Sequence, residues 1–210
     1  MTARSGLREV GRPRLYSNED IFAAVHLVIR RDGYHELTLE RVALEVGCTR
    51  QALVRRFRSK RRMLLAAIDA TAAKISSDYR HLRESWDSPL AALRARMVLP
   101  PHSRPEETSD IHHQANLMAF VVSSSADPEF SGRFTALQQV ARAEVEKLLH
   151  DAVQQGELAP VDIETLADVL LAATAGETVL VTADSSLDHA AMMATIFEEI
   201  IGPYRRATPG

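Results

Sequence analysis

The chain has a single cysteine, Cys48, among 210 residues. One thiol cannot close an internal disulfide and cannot by itself build a thiolate zinc centre, which excludes a disulfide-stapled scaffold and a zinc-ribbon module. A small, buried, apolar role in a reducing interior is expected of it. The sequence also lacks any run of about eighteen apolar residues, and its opening stretch, Met1 to Arg8, lacks the apolar segment of a secretory signal. No membrane partner is expected, and the cytoplasm is the expected compartment. Sustained alternation of apolar and polar residues is missing too, so no half-buried strand is predicted, and no internal repeat occurs. What the chain does have is 46% apolar residues, ample for a core.

The formal net charge of −3 hides an uneven distribution. Residues 1–62 hold fourteen Lys and Arg against seven Asp and Glu, a net of +7, whereas residues 63–210 hold eleven against twenty-one, a net of −10. A basic front end on an acidic remainder suits contact with a polyanion through the front while the rest stays solvated. Charge runs are more often merely solvated surface, so the local geometry has to decide.

Residues 1–16, with Arg4, Arg8, Arg12 and Arg14 and few apolar side chains, read as a flexible basic arm. Ser17 offers an N-cap with Glu19 and Asp20 in the first turn, and Ile21, Val25, Val28 and Ile29 recur at helical spacing behind it. That first helix is predicted to end near Arg31, with Gly33 as its stop. Thr38 caps a short second helix with the buried stripe Leu39, Val42, Ala43 and Val46, and Gly47 ends it. Thr49 caps a third helix in which Leu53 and Phe57 point inward, leaving Arg50, Gln51, Val54 and Arg55 mainly outward. Only Gly47 and Cys48 separate the two, and so short a turn with a glycine able to adopt positive φ makes the helices cross steeply, as in a helix-turn-helix. Ser59 caps a fourth helix running to about Trp86. Shorter helices are predicted at about 88–99 and 109–125, then a long one from Pro128 to about Gln155, and two more at roughly 162–183 and 187–203. The expected fold class is all-α with about nine helices: arm 1–16, a three-helix helix-turn-helix domain 17–62, and a C-terminal helical regulatory domain 63–210.

In the third helix Arg50, Gln51 and Arg55 are long hydrogen-bonding side chains on one side near the N-terminal end, where such helices meet base edges of double-stranded DNA. Lys60, Arg61 and Arg62 occupy the first turn of the fourth helix, where cations are disfavoured by the dipole unless an incoming phosphate reverses the penalty. Thr38 can donate to a phosphate as well as cap its helix, and Thr49 is likewise a candidate DNA contact. The arm residues Arg12 and Arg14, in Gly11-Arg12-Pro13-Arg14, suit a minor groove, although a tail with incidental arginines reads nearly as well.

The segment Leu37-Thr38-Leu39-Glu40-Arg41-Val42-Ala43, then Val46-Gly47-Cys48-Thr49-Arg50-Gln51-Ala52-Leu53, Phe57-Arg58-Ser59-Lys60 and Leu64-Leu65, resembles the DNA-binding domain of the TetR (tetracycline repressor-like) family. The resemblance covers Ser17 to Ile68. It implies a homodimer, a palindromic operator, repression, and release of DNA when a small molecule enters the C-terminal body. One residue departs from the pattern: many relatives carry Tyr where this chain has Val54. Valine cannot donate to phosphate, and an apolar touch on a thymine methyl is the substitute available to it.

The C-terminal part matches the family in outline, through Asp127-Pro128-Glu129 opening a long helix and Gln155-Gly156-Glu157-Leu158 closing it. The last two helices are the expected dimer surface, with Ile163, Leu166, Ala167, Leu170, Leu171 and Thr174 in one stripe and Ala191, Met192, Thr195, Ile196, Glu199 and Ile200 in the other; packing within one subunit can use the same stripes. Trp86, Met97, Leu117, Met118, Phe120, Val121, Phe134 and Leu137 are candidate walls for a small, mainly apolar effector of unknown identity, each also readable as ordinary core. His112-His113, near His102, point about 100° apart on a helix and do not make a metal site. Ser123-Ser124-Ser125 lacks the setting of a nucleophile elbow. No cofactor, metal or catalytic residue is expected. The alternatives are a transcriptional activator with the same head, and a small helical enzyme or carrier with an incidental basic head, which would need paired catalytic groups that the body does not display.

Overall fold

A computed structural model describes residues 16–98, 111–184 and 186–206, with the backbone alone for 111–114. Among them are nine α-helices: α1 Asn18–Asp32, α2 Leu39–Val46, α3 Arg50–Phe57, α4 Lys60–Ser85, α5 Pro89–Val98, α6 Ile111–Ser124, α7 Pro128–Gln154, α8 Ile163–Ala183 and α9 His189–Ile201. No strand is present among the described residues, only an isolated antiparallel bridge between Leu158 and Arg205.

Side-chain caps set most helix starts. Ser17 and Asp20 form a reciprocal capping box at α1, and Thr38, Thr49, Ser59, Asp127, Asp162 and Asp188 each accept a backbone N–H at the start of a helix. Gly47 closes α2 in the left-handed region at φ 73°, ψ 31°. Gly33 also has positive φ, 86°, but its ψ of 160° takes the chain out extended rather than in a left-handed turn.

The buried apolar residues form two clusters. One gathers Ile21, Val25 and Val28 of α1, Val42 of α2, Leu53 of α3 and Met63 to Ile68 of α4, and it recruits Phe120 from α6 and Phe130 from α7. The other joins Tyr79 of α4 to Leu90 and Leu93 of α5, Leu148 of α7, Leu170 of α8 and Phe197 of α9. Helix α4 belongs to both, so head and body share one rigid element. Cys48 is half-buried against the first cluster, and burial pushes its thiol pKa up, as suits an unreactive packing residue.

Candidate nucleic-acid interface

The turn between α2 and α3 is held by backbone bonds: Gly47 N–H donates to Leu44 O at 3.2 Å and Cys48 N–H to Ala43 O at 2.8 Å. Leu53, fully buried, anchors α3 to the head core. With that side fixed, a helix period of 3.6 residues leaves Arg50, Gln51 and Arg55 exposed, while Val54 is half-buried against the core edge. The Thr38 hydroxyl accepts from Arg41 N at 3.1 Å and that of Thr49 from Ala52 N at 3.2 Å. Both are exposed, and a capping hydroxyl that accepts keeps its own proton to donate outward.

The cations of the head differ in how far they are already engaged. Arg50 is ion-paired with Glu40 of α2, and Arg41 with Asp32 and Glu36, whereas Arg55 and Arg62 are exposed with no ion pair among the described residues. Lys60 is half-buried. Its ammonium donates to Tyr34 O at 3.2 Å and lies 4.6 Å from the centre of the Tyr34 ring, and burial holds its pKa below the usual lysine value. Arg61 turns away from the helix-turn-helix. It is ion-paired with Asp127, through two guanidinium nitrogens, and with Glu129 at 2.7 Å, and it sits 5.1 Å from the Phe130 ring centre. The sequence grouped Lys60, Arg61 and Arg62 as one cationic turn; the structure divides them three ways. Arg61 is a head-to-body clamp, and the signal for it was the acidic pair flanking Pro128. Arg12 and Arg14 lie outside the described residues, as does His102.

The eight candidate wall residues of the body are divided between the two cores and the surface. Phe120, Leu117, Phe134 and Leu137 pack on the head-side cluster, and Met97 is buried in the distal one. Met118 is half-buried, while Trp86, at the C-cap of α4, and Val121 are 45% and 39% exposed. A groove of about 420 Å³ lies instead at the junction of head and body, between Tyr34, α4 and the turn from α6 to α7. A second, of about 500 Å³, lies between α5, α9 and the C-terminal segment. None of the eight lines either groove. Among the described residues no group of three or more His, Cys, Asp or Glu is placed to hold a metal ion.

The stripe Leu166, Ala167 and Leu170 of α8 faces its own core. A different face of α8 is left uncovered, with Val169, Val179 and Leu180 each about half exposed (45%, 53% and 54%). By length and hydropathy alone α8 is long enough to cross a membrane, yet it packs on α6, α7 and α9 and carries the buried Glu177.

Residues 21–67 match the family described as bacterial regulatory proteins, tetR family. No curated protein matches the sequence. Among solved structures, a TetR transcription regulator from Haloarcula marismortui is 19% identical, with 90% of this chain and 98% of that one covered and a TM-score of 0.73. SmeT, the repressor of the Stenotrophomonas maltophilia multidrug efflux pump SmeDEF, is 22% identical, with 93% and 95% covered and a TM-score of 0.66. The SmeT–triclosan complex gives 23% identity, 92% and 95% coverage and a TM-score of 0.68. Residues 21–67 therefore carry the tetR-family helix-turn-helix, and the chain has the fold of a TetR-type transcriptional regulator.

Proposed function

We propose that the protein is a homodimeric, sequence-specific DNA-binding transcriptional regulator, a repressor that leaves a palindromic operator when a small molecule binds its body. The observation that carries this reading is the solvent-facing row Arg50, Gln51 and Arg55 on a helix pinned by Leu53 after the Gly47 turn. Arg pairs with guanine and Gln with adenine in the major groove, and Val54 touches a thymine methyl. Thr38, Thr49 and Lys60 contact phosphates, and Arg12 and Arg14 of the arm follow the adjacent minor groove. The division into arm 1–16, head 17–62 and body 63–210 is part of the same proposal.

Dimerisation through the last two helices is supported by the uncovered apolar face of α8 at Val169, Val179 and Leu180. A two-fold dimer sets two copies of α3 in successive major grooves about 34–36 Å apart. The name of the SmeT complex speaks for a small-molecule ligand in one protein of this fold, and an effector here acts only insofar as it binds the DNA-free state more tightly.

Incubation with fragmented genomic DNA followed by sequencing of the retained fragments tests the reading. A shared palindrome is expected; retention no better than that of a charge-matched control protein removes the proposal. On the recovered site, Arg50→Ala and Gln51→Ala are expected to relax base preference, whereas Lys60→Ala weakens all sequences alike and lowers the salt slope by about one.

A further inference from the structure

The junction groove has walls of two kinds. Tyr34, Leu64 and Phe130 supply apolar and aromatic surface, while Lys60 and Ser124 supply hydrogen-bond donors. Tyr34 is held in place by stacking on Phe120, with ring centres 4.7 Å apart, and Phe120 meets Phe130 edge-on at 6.0 Å. The aromatic side of the groove is therefore rigid before anything enters.

Its polar side is unevenly satisfied. The acidic group that lines it is taken: Asp127 accepts from Arg61 and from the backbone N–H of Glu129 and Phe130. The donors are not. Lys60 has three ammonium protons and one acceptor, the Tyr34 carbonyl. Ser124 is 95% buried, at 5% exposure, and its hydroxyl has no hydrogen-bond partner. A buried hydroxyl without a partner is uncommon in a folded protein, and a half-buried cation gains more from an added acceptor than an exposed one does. The unmet capacity of the groove is thus for an acceptor, and the acceptor that also matches Lys60 is an anion.

We infer that the groove between the α1–α2 loop, α4 and the α6–α7 turn is a binding site for a small aromatic carboxylate, its carboxylate on Lys60 and the Ser124 hydroxyl and its ring on the wall formed by Tyr34, Leu64 and Phe130. The volume, about 420 Å³, is at the scale of a one- or two-ring molecule. Burial already disfavours the charged form of Lys60, and an anion at bonding distance restores it. The site opens beside the Arg61–Asp127 clamp, so an occupant sits where head and body are fastened. Where Lys60 also contacts a DNA phosphate, occupant and operator compete for one ammonium; that consequence rests on the proposed function, whereas binding to the groove does not.

Calorimetric titration of the full chain, without DNA, with 1-naphthoate and with its neutral analogue 1-naphthalenemethanol tests the site. Saturable binding of one naphthoate per chain is expected, about tenfold tighter than the alcohol. Lys60→Met is expected to abolish that preference, and Ser124→Ala to weaken naphthoate by roughly threefold while leaving the alcohol unchanged. Equal affinity for acid and alcohol, naphthoate binding indifferent to both substitutions, or no saturable binding in the millimolar range each overturns the inference. The acid-to-alcohol comparison uses the unmodified chain, so it decides even if Lys60→Met fails to fold. Loss of operator binding by Lys60→Ala, with Ser124→Ala weakening naphthoate but leaving operator binding unchanged, would separate the two roles.

Discussion

Arg61 and Asp127, 66 positions apart, join the first turn of α4 to the N-cap of α7 through two guanidinium nitrogens. The pair fastens a helix of the head to a helix of the body at the one place where the carboxylate also caps α7. Through the hydrogen bonds from Arg61, the Asp127 pKa is lowered to about 2 from an ordinary 3.8.

This depression sets a pH window. A carboxyl whose pKa falls on folding stabilises the folded state above its unfolded value, and that contribution disappears as pH falls through the folded value. The clamp is therefore intact above about pH 4 and lost towards pH 2. Thermal melts of wild type and Asp127→Asn between pH 5 and 2 are expected to converge as the pH drops, because asparagine keeps the cap but not the charge. A constant gap across the series would mean that the charge contributes nothing.

Gly47 adopts φ 73°, ψ 31°, and a Cβ built there meets no atom within 4 Å. The cost of a side chain is then conformational alone. Gly47→Ala is expected to lose about 1–2 kcal/mol and Gly47→Asn distinctly less, since asparagine tolerates the left-handed region. Urea titration of both variants measures it, and equal losses would point to a steric cause.

Glu40 holds Arg50 in an exposed ion pair and sets a negative charge beside the face assigned to DNA. Glu40→Gln frees the guanidinium, and operator affinity is expected to rise about two- to fivefold, the range of an exposed pair. Fluorescence anisotropy on a selected duplex reads this directly. Unchanged affinity would mean that Arg50 does not have to leave Glu40 when DNA binds.

Glu177 of α8, 1% exposed, has one carboxylate oxygen 2.6 Å from His189 Nδ1 of α9, and the other has no partner among the described residues. Removing the imidazole strands a buried acceptor. His189→Leu is expected to cost about 1–3 kcal/mol, and a Glu177→Leu/His189→Leu double variant less than the losses of Glu177→Leu and His189→Leu added together. Denaturant melts at fixed protein concentration compare them, and strict additivity would show that the two side chains do not interact.

Local signals were legible in the sequence because their causes are local. Ser17, Thr38, Thr49, Ser59 and Asp127 cap the helices they announce, and the 3.6-residue period that buries Leu53 fixes where Arg50, Gln51 and Arg55 emerge. Relationships across the chain were not. The first turn of α4 shows three cations, but only the fold reveals that Arg61 meets Asp127 while Lys60 folds back on Tyr34. Phe120 and Met97 look alike as apolar residues, yet they serve different cores. Helix α8 is apolar on more than one face, so its periodicity could not separate Leu166 and Leu170, which face inward, from Val179 and Leu180, which do not.

Helix α4 runs unbroken for 26 residues, about 39 Å, from the helix-turn-helix to the far cluster at Tyr79. Pivoted at its distal end, a rod of that length turns a tilt of about 5° into a sideways travel of roughly 3 Å at the near end, close to the rise of one nucleotide step. On the proposed function, a disturbance too small to unpack the distal cluster would, once the Arg61–Asp127 pair at the near end lets go, carry α3 out of register with its groove.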